Sequence, residues 1–401
     1  MKSTKAIDQK KLCIGCGICT SFSKDVSAEM VEGVDGFLHP KIKPEYDNWN
    51  ELEEICPGVQ CKADFKLEKY EEKIWGPIKE CFLGYAESEE IRWLGSSGGG
   101  ISAFLIYLLE KQIVEAIVQI GPQKNNPLRT ATYVNFTRED VLRCASSRYC
   151  PTSPLSSIKE ILSGKKYKIA FVGRPCDVMA LRHYLRLHPE YKNKVKFLIS
   201  FFCASVPSYN ATDILLQKIN SNPEEVIDFW YRGKGWPGYA TAVTKTEEKK
   251  ILSYEKSWGD ILSKHAHFRC KICPDGIGIF SDVTFADAWE IKEGKPVFDE
   301  REGRNVIMIR TAEGEEAVNG AINAGYIGKK EFAIRDLSLM QPSQLMKRKN
   351  VGARILALRF CGFQYPNCKG LPIYRNLRYS SIAQIFKNFA GALRRSLFKQ
   401  K

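Results

Sequence analysis

The sequence predicts an α/β fold, α+β overall: a small cysteine-rich N-terminal domain ahead of a body built on a mixed, mostly parallel sheet. Three observations predict it. Apolar strand-like runs alternate with helix-periodic ones through the middle of the chain. Three cysteines fall in one short loop near the N-terminus. Acidic residues stop before residue 340 while basic ones continue to the end.

The alternation comes first. Val114–Ile120, Lys168–Gly173 and Val195–Phe202 read as strands, and Ser102–Glu110, Asp177–Leu187 and Ala211–Ile219 as helices. Strands separated by single helices make crossover units and a largely parallel sheet. The composition, 44% hydrophobic and 26% charged, excludes a disordered or fibrous chain. The longest apolar stretch, Ile101 to Ile120, is broken by Glu110, Lys111 and Glu115, so no membrane span is expected. The polar start, MKSTKAIDQKK, lacks the apolar segment of a signal peptide, and a cytoplasmic location is the expectation. Boundaries are expected near residues 65 and 340, giving a cysteine-loop domain (1–65), a body (66–340) and a tail (341–401).

The chain has 14 cysteines. In a reducing compartment these point to metal ligation or redox chemistry rather than disulfides, with some serving as small buried apolar residues. The strongest pattern is Cys13-Ile-Gly-Cys16-Gly-Ile-Cys19. Bacterial ferredoxins write C-x2-C-x2-C-x3-C-P twice, and the fourth cysteine of each run serves the other run's cluster. Here Ser23 stands at the fourth position of the first run. The second run keeps Cys56-Pro57 but has Tyr46, Trp49 and Leu52 at its other ligand positions. One cluster has therefore lost all four ligands and the other has kept all four. Cys13, Cys16, Cys19 and Cys56 are expected to hold one [4Fe–4S] cube in a ferredoxin-like domain; a zinc ion or a three-iron cluster on the same thiolates is the alternative.

Gly95-Ser96-Ser97-Gly98-Gly99-Gly100 runs into the Ile101 helix. A Gly- and Ser-rich turn at a helix N-terminus offers amides and hydroxyls to an anion, and a flavin phosphate would suit Ser96, Ser97, Gly98 and Gly99. A flexible capped turn is the plainer reading. Gly173-Arg174-Pro175-Cys176-Asp177 follows a strand and opens a helix, which favours a thiolate at Cys176 and places Arg174 beside it. Cys270-Lys-Ile-Cys273-Pro274 supplies two ligands of a second cube. Cys176 and Cys203, each ending a strand, supply the other two, with Cys150 as an alternative. A Cys/His zinc site is the competing reading, and His265 and His267 are expected to be surface residues. Tyr231-Arg232-Gly-Lys234-Gly-Trp236 could grip an acidic cofactor through Lys234, or form a solvated loop anchored by its Trp.

At this point the chain resembles the beta-subunit family of coenzyme F-420 hydrogenases and dehydrogenases. That family also includes reductases of 7-hydroxymethyl chlorophyll a and of divinyl chlorophyllide. The resemblance runs from about residue 10 to about 335. It is carried by Cys13–Cys19, Gly36-Phe37 with Pro40, Cys56-Pro57-Gly58, Gly95–Gly99, Val172–Leu181, Phe202-Cys203, Arg232–Trp236, Cys270–Asp275 and Gly303–Thr311, in that order. It implies FAD, one or two [4Fe–4S] clusters, and a two-electron organic acceptor, often the deazaflavin F-420. Arg174, Asp177 and Ala286 depart from the family pattern near the presumed active edge. Similar chains of this length occur in surface-polysaccharide gene clusters, which leaves a non-deazaflavin substrate open.

Residues 341–401 hold 13 Lys or Arg and no Asp or Glu, against a net charge of +14 for the chain. The body is therefore nearly neutral, and no nucleic-acid partner is expected. Residues 381–397 read as an amphipathic helix with Ile382, Ile385, Phe386, Phe389, Leu393 and Leu397 on one face. Such a helix could lie on an anionic membrane surface or pack on the body. The expected function is an iron–sulfur flavoprotein oxidoreductase exchanging electrons with ferredoxin or another electron-transfer protein. An electron-transfer subunit without its own substrate and a zinc-stabilised interaction module are the alternatives.

Overall fold

A computed structural model describes residues 11–22, 27–164 and 167–398; Ser23 lies outside the described residues. The chain opens with the cysteine loop and an antiparallel hairpin, β1 (Ala28–Glu32) and β2 (Leu38–Ile42). The body is an eight-stranded sheet. Its strands are β3 (Glu80–Ala86), β4 (Ala116–Gln123), β5 (Asn126–Asn135), β6 (Ile169–Val172), β7 (Val195–Phe201), β11 (Val283–Asp287), β14 (Asn305–Ile309) and β15 (Ile327–Lys330). Between them, β8 (Val226–Trp230), β9 (Ala240–Thr244) and β10 (Lys249–Leu252) form a separate three-stranded sheet, and β12 (Glu290–Lys292) pairs with β13 (Lys295–Val297).

The order across the main sheet is β15-β3-β14-β11-β7-β6-β4-β5. The central strands β11, β7, β6 and β4 run parallel. The flanking strands β14, β3, β15 and β5 pair antiparallel. The α/β class read from the sequence holds, with the parallel part confined to the four central strands.

Alternation along each strand explains the two cores. Ile169 and Phe171 of β6 face one side, with Val306 and Met308 of β14. Ala170 and Val172 face the other, with Ile307 and Ile309. That second side is covered by α1 (Gly100–Glu110) and by the helix Ala312–Asn323. The first side carries α2 (Pro175–Leu187), the cysteine loop and α3 (Pro342–Phe360), whose Val351, Ile355 and Leu358 sit in the same core. Helix α2 starts where Pro175 fixes φ at the first turn and Asp177 accepts the Arg174 N–H at 3.0 Å. Six sequence-read elements, three strands and three helices, are present with every boundary within three residues of the reading.

The C-terminal helix α4 (Ile382–Phe398) packs on α3 through Phe360 and Phe389, 6.2 Å between ring centroids, and through Arg354 and Asn388. The apolar face read from the sequence is therefore split. Ile385, Phe389 and Leu393 are partly buried, while Ile382, Phe386 and Leu397 are exposed. Among the described residues no helix is long and apolar enough to cross a membrane.

Candidate functional site

The first cysteine set is built by turn geometry. Gly15 and Gly17 adopt φ of 70° and 81°, which only glycine takes at little cost. A Cβ at Gly15 would stand 2.9 Å from the Leu38 carbonyl oxygen. The loop wraps so that Cys13, Cys16, Cys19 and Cys56 line one small cavity of about 20 Å3, with Met30 and Pro40 on its walls. The loop is fixed to the body: Leu155 N–H donates to the Cys16 carbonyl at 3.0 Å and Ser153 Oγ to that of Gly15 at 2.7 Å. Burial, then the Cys56, Asp177 and Cys19 charges, push the Cys16 thiol well up. Burial raises Cys56 to about 11. Burial thus makes a bare thiolate costly here, a cost that a positively charged centre bound by the sulfurs would offset.

The second set forms at the C-terminal ends of β6 and β7. Cys176 lies in the first turn of α2, Cys203 two residues past β7, and Cys270 in the short helix Phe268–Lys271, with Cys273 just beyond it. Cys203 and Cys273 act electrostatically on Cys176, and Cys270 and Cys273 on Cys203. Burial raises Cys203 to about 12. The structure thus brings together the four cysteines read from the sequence. Cys150 sits in a satellite core with Tyr231 and lines the same cavity as Cys203, its main charged neighbours being Arg148, Arg129 and Arg174. Among the described residues no three His, Cys, Asp or Glu side chains converge closely enough to hold a single metal ion.

Helix α3 supplies the cations that fix this second loop. Lys347 Nζ donates to the carbonyls of Cys203 at 3.2 Å and Ala204 at 2.8 Å. Arg348 donates to those of Ile74, at 2.8 Å, and Pro274. Arg354 donates to that of Lys271 at 2.7 Å. Three of the 13 cations that composition marked as a basic tail are built into the site. His267 is a correction: it is buried, its ring stands edge-on to Phe37 at 4.5 Å, and Nδ1 accepts the Arg269 N–H at 3.0 Å. Burial lowers its pKa to about 3. His265 is exposed, as read.

A cavity of about 610 Å3 opens at the same sheet edge, a size typical of ligand sites. Cys203 lines it. Arg232 is buried in its wall, donating to Asp287 at 3.0 and 3.1 Å, to Tyr149 at 3.1 Å and to the Ser96 carbonyl. Its guanidinium lies 4.8 Å from the Tyr254 ring centroid and 5.1 Å from that of Trp289. Four buried polar atoms on lining residues have no partner: Ser146 Oγ, Arg148 Nε, Arg174 Nη1 and Gln344 Oε1. Orphaned groups of this kind call for a polar ligand.

The Gly-rich turn is placed differently from the sequence reading. Ser96, Ser97 and Gly99 line the cavity, but Gly98 does not: its N–H donates to Asn305 Oδ1 at 3.1 Å, as does that of Gly100 at 3.0 Å. Ser97 Oγ donates to the Arg304 carbonyl at 2.8 Å. Gly99 has φ 68° at the start of α1, where a Cβ would meet the Ile91 carbonyl at 2.6 Å. Lys234 does not line the cavity; it sits over the Trp230 ring at 3.4 Å and 3.5 Å from Asp228. Arg232, two residues earlier in the same motif, takes that place. Arg174 does line the cavity, bound to Asp177 at 2.7 Å. Sequence reasoning also missed Asn305, hinted at only by the Gly303–Thr311 motif, and Asp287, hinted at only by the departure at Ala286 before it.

With the site in view, comparison with known proteins assigns the chain. The N-terminal model of the coenzyme F420 hydrogenase/dehydrogenase beta subunit matches residues 81–160, and its C-terminal model matches 166–334. The chain belongs to that family. It is an oxidoreductase on that ground, as the named relatives are. A coenzyme F420-dependent sulfite reductase from Methanocaldococcus jannaschii is 28% identical over 74% of this chain, which spans 44% of that longer protein. A coenzyme F420 hydrogenase subunit beta from Methanococcus voltae is 25% identical, covering 73% of this chain and 99% of the relative. A chain of the F420-reducing [NiFe] hydrogenase complex from Methanosarcina barkeri shares the fold, with a TM-score of 0.57 at 20% identity, covering 74% of this chain and 96% of that one. Both matched family stretches leave out Cys13–Cys56 and the helices α3 and α4.

Proposed function

We propose that this chain is an iron–sulfur flavoprotein subunit that passes electrons between an organic two-electron carrier and a one-electron protein partner. One juxtaposition carries the reading. Cys203 of the second thiol set lines the large cavity, and Asp177 acts on both Cys176 of that set and Cys16 of the first. Asp177 also lines the cavity, and this shared neighbour supports a path from cavity to second set to first set. In this reading Cys13, Cys16, Cys19 and Cys56 hold one [4Fe–4S] cube, Cys176, Cys203, Cys270 and Cys273 hold a second, and FAD occupies the cavity. The same reading divides the chain near residues 65 and 340 into a cluster domain, a flavin body and a basic extension.

A flavin exchanges an electron pair with organic carriers and single electrons with clusters. The chain's own residues bind and orient. Tyr254 and Trp289 offer a wall on which a planar ring can stack. Arg148 Nε and Arg174 Nη1 offer buried donors to phosphate oxygens. Arg232, held by Asp287, fixes the aromatic wall and keeps a positive charge beside it. F420, named in the relatives, is the first carrier to test; a different acceptor, including one from surface-polysaccharide synthesis, is the alternative. Ferredoxin or another electron-transfer protein is the one-electron partner. Exposed Ile382 and Phe386, beside Lys387 and Arg394, support peripheral contact with an anionic membrane.

Anaerobic purification tests the core of this reading. About eight irons with matching sulfide per chain, and about one flavin, are expected. Colourless protein, or zinc in place of iron, would refute it. Turnover of F420 with an artificial one-electron acceptor then separates an enzyme with its own substrate from a relay that needs a partner subunit.

A further inference from the structure

Two cysteines outside both sets face each other. Residues 59–63 run alongside 366–371 as a short parallel pair: Asn367 N–H donates to the Val59 carbonyl at 2.6 Å, Cys61 N–H to that of Asn367 at 2.8 Å, and Ala63 N–H to that of Lys369 at 2.9 Å. Gln60 is the bridge partner of Asn367, so the next position sets Cys61 opposite Cys368. Side chains at opposed positions leave the same face, and neighbouring strands lie about 4.8 Å apart. That separation falls within the range of about 4.4–6.8 Å between disulfide-bonded Cα atoms. The burial pattern agrees: Cys61 is fully buried and Cys368 half-buried, while Lys62, Asn367 and Lys369 are exposed. Each thiol in the reduced state turns to a nearby carbonyl, Cys61 Sγ donating to that of Pro57 at 3.5 Å and Cys368 Sγ to that of Pro366 at 3.4 Å.

We propose that Cys61 and Cys368 form a reversible dithiol–disulfide latch that ties the C-terminal extension to the N-terminal cysteine domain. The reaction is exchange with a small-molecule disulfide such as oxidised glutathione. The Cys368 thiolate attacks one sulfur of that disulfide and one small thiol leaves. The Cys61 sulfur then attacks Cys368 Sγ, displacing the second small thiol. The protein loses two thiol hydrogens and gains one S–S bond; the oxidant is reduced to two thiols, which take up the protons. Cys368 acts first because it is the accessible one, whereas Cys61 is buried.

The latch sits where it can be felt. Arg269 Nη2 donates to Cys61 Sγ at 3.0 Å and to the Pro57 carbonyl at 2.8 Å. Pro57 follows Cys56 and Arg269 precedes Cys270, so one guanidinium links the latch to both cysteine motifs. A disulfide sulfur accepts hydrogen bonds more weakly than a thiol sulfur carrying partial negative charge, so closing the latch loosens Arg269's hold on that side.

The test uses full-length protein equilibrated anaerobically with glutathione buffers of rising oxidised fraction, alkylated, digested and analysed by mass spectrometry, with iron counted in parallel. Loss of two alkylatable thiols per chain and a peptide pair joined through Cys61 and Cys368 are expected, both reversed by dithiothreitol, with iron unchanged. Cys368→Ser should abolish the linked peptide and keep the iron; Cys368→Ala provides the same test should serine disturb the half-buried position. Separate alkylation of both thiols across the whole range would overturn the latch. So would a drop in iron in either variant, which would make Cys368 a cluster ligand instead. The linkage is read without reference to flavin or turnover, so it stands or falls apart from the proposed function.

Discussion

Replacing Asn305 by Ala separates the scaffold of the cavity from its chemistry. Asn305 Oδ1 accepts the N–H groups of Gly98 at 3.1 Å and Gly100 at 3.0 Å, and Nδ2 donates to the Ala286 carbonyl at 3.4 Å. The side chain is 5% exposed, so little water can replace it. Each buried donor left without an acceptor costs about 1–3 kcal/mol, so two cost about 2–6 kcal/mol. Asn305→Asp keeps the acceptor oxygen and adds a negative charge beside the turn. Urea unfolding followed by Trp fluorescence, with flavin released on denaturation counted separately, reads both effects. The Ala variant should lose at least about 2 kcal/mol. The Asp variant keeps the acceptor for the two N–H groups but buries a charge facing the Ala286 carbonyl, so it should also be destabilised, and it should lose flavin through repulsion of its phosphates. An Ala variant within about 0.5 kcal/mol of the parent, the range of ordinary surface changes, would refute the claim that this side chain holds the turn.

Cys203→Ser and Cys273→Ser should each lower iron by about four atoms per chain, while Cys150→Ser leaves iron unchanged; elemental analysis after anaerobic purification decides. Gly15→Ala forces a side chain into a left-handed turn against Leu38, and should reduce iron at the first set while the second remains, as seen by paramagnetic resonance of the reduced protein. His183 is buried with Nε2 at 3.0 Å from the Lys62 carbonyl, and burial lowers its pKa to about 4. Its folded pKa lies below the unfolded value, so the unfolded chain binds the proton first as pH falls. Stability should drop by about 3 kcal/mol between about pH 6.5 and pH 4, and His183→Gln should remove that share of the slope in denaturant titrations. Ile382→Ser with Phe386→Ser should abolish sedimentation with anionic vesicles; equal sedimentation of variant and parent would rule out that face as the membrane contact.

The elements and the thiols were legible because each leaves a local mark. Ile169–Val172 is a short apolar run followed by Gly and Pro, so a strand and a helix start could be read from neighbours in sequence. Cys13–Cys19 has a spacing fixed by the shape of one loop, and Cys56 by its Pro. The rest depends on contacts far apart in the chain. Asn305 reaches Gly98 across 207 residues, and Arg348 reaches Ile74 across 274, and no periodicity encodes either. Lys234 and Arg232 look equivalent in sequence; the turn decides between them, since Gly233 with φ 105° sends Arg232 inward and leaves Lys234 over Trp230. Burial of His267 escaped notice because a polar residue beside a CxxC reads as surface unless its capping role is visible.

The charges around the thiols argue for what the thiols do. Arg269, Arg310 and Arg348 are all buried here. Among the described residues none of the three makes an ion pair with a carboxylate; they donate to backbone carbonyls, to Cys61 Sγ and to Thr284. Asp275 is the one buried carboxylate acting on Arg310 and Arg348, and its oxygens accept the Ile277 and Ile279 N–H groups. Burial lowers the pKa of Arg310 to about 10 and opposes the charge of Arg269, whose main counterweights are Cys61, Cys273, Cys368 and Cys176. Isolated buried cations are costly, and cores keep them only where negative charge offsets them. Neutral thiols would leave this region with an excess of positive charge in an apolar core. Under the proposed function, thiolate at Cys176 and Cys273 would supply part of the missing negative charge beside Arg269, and at Cys273 beside Arg348.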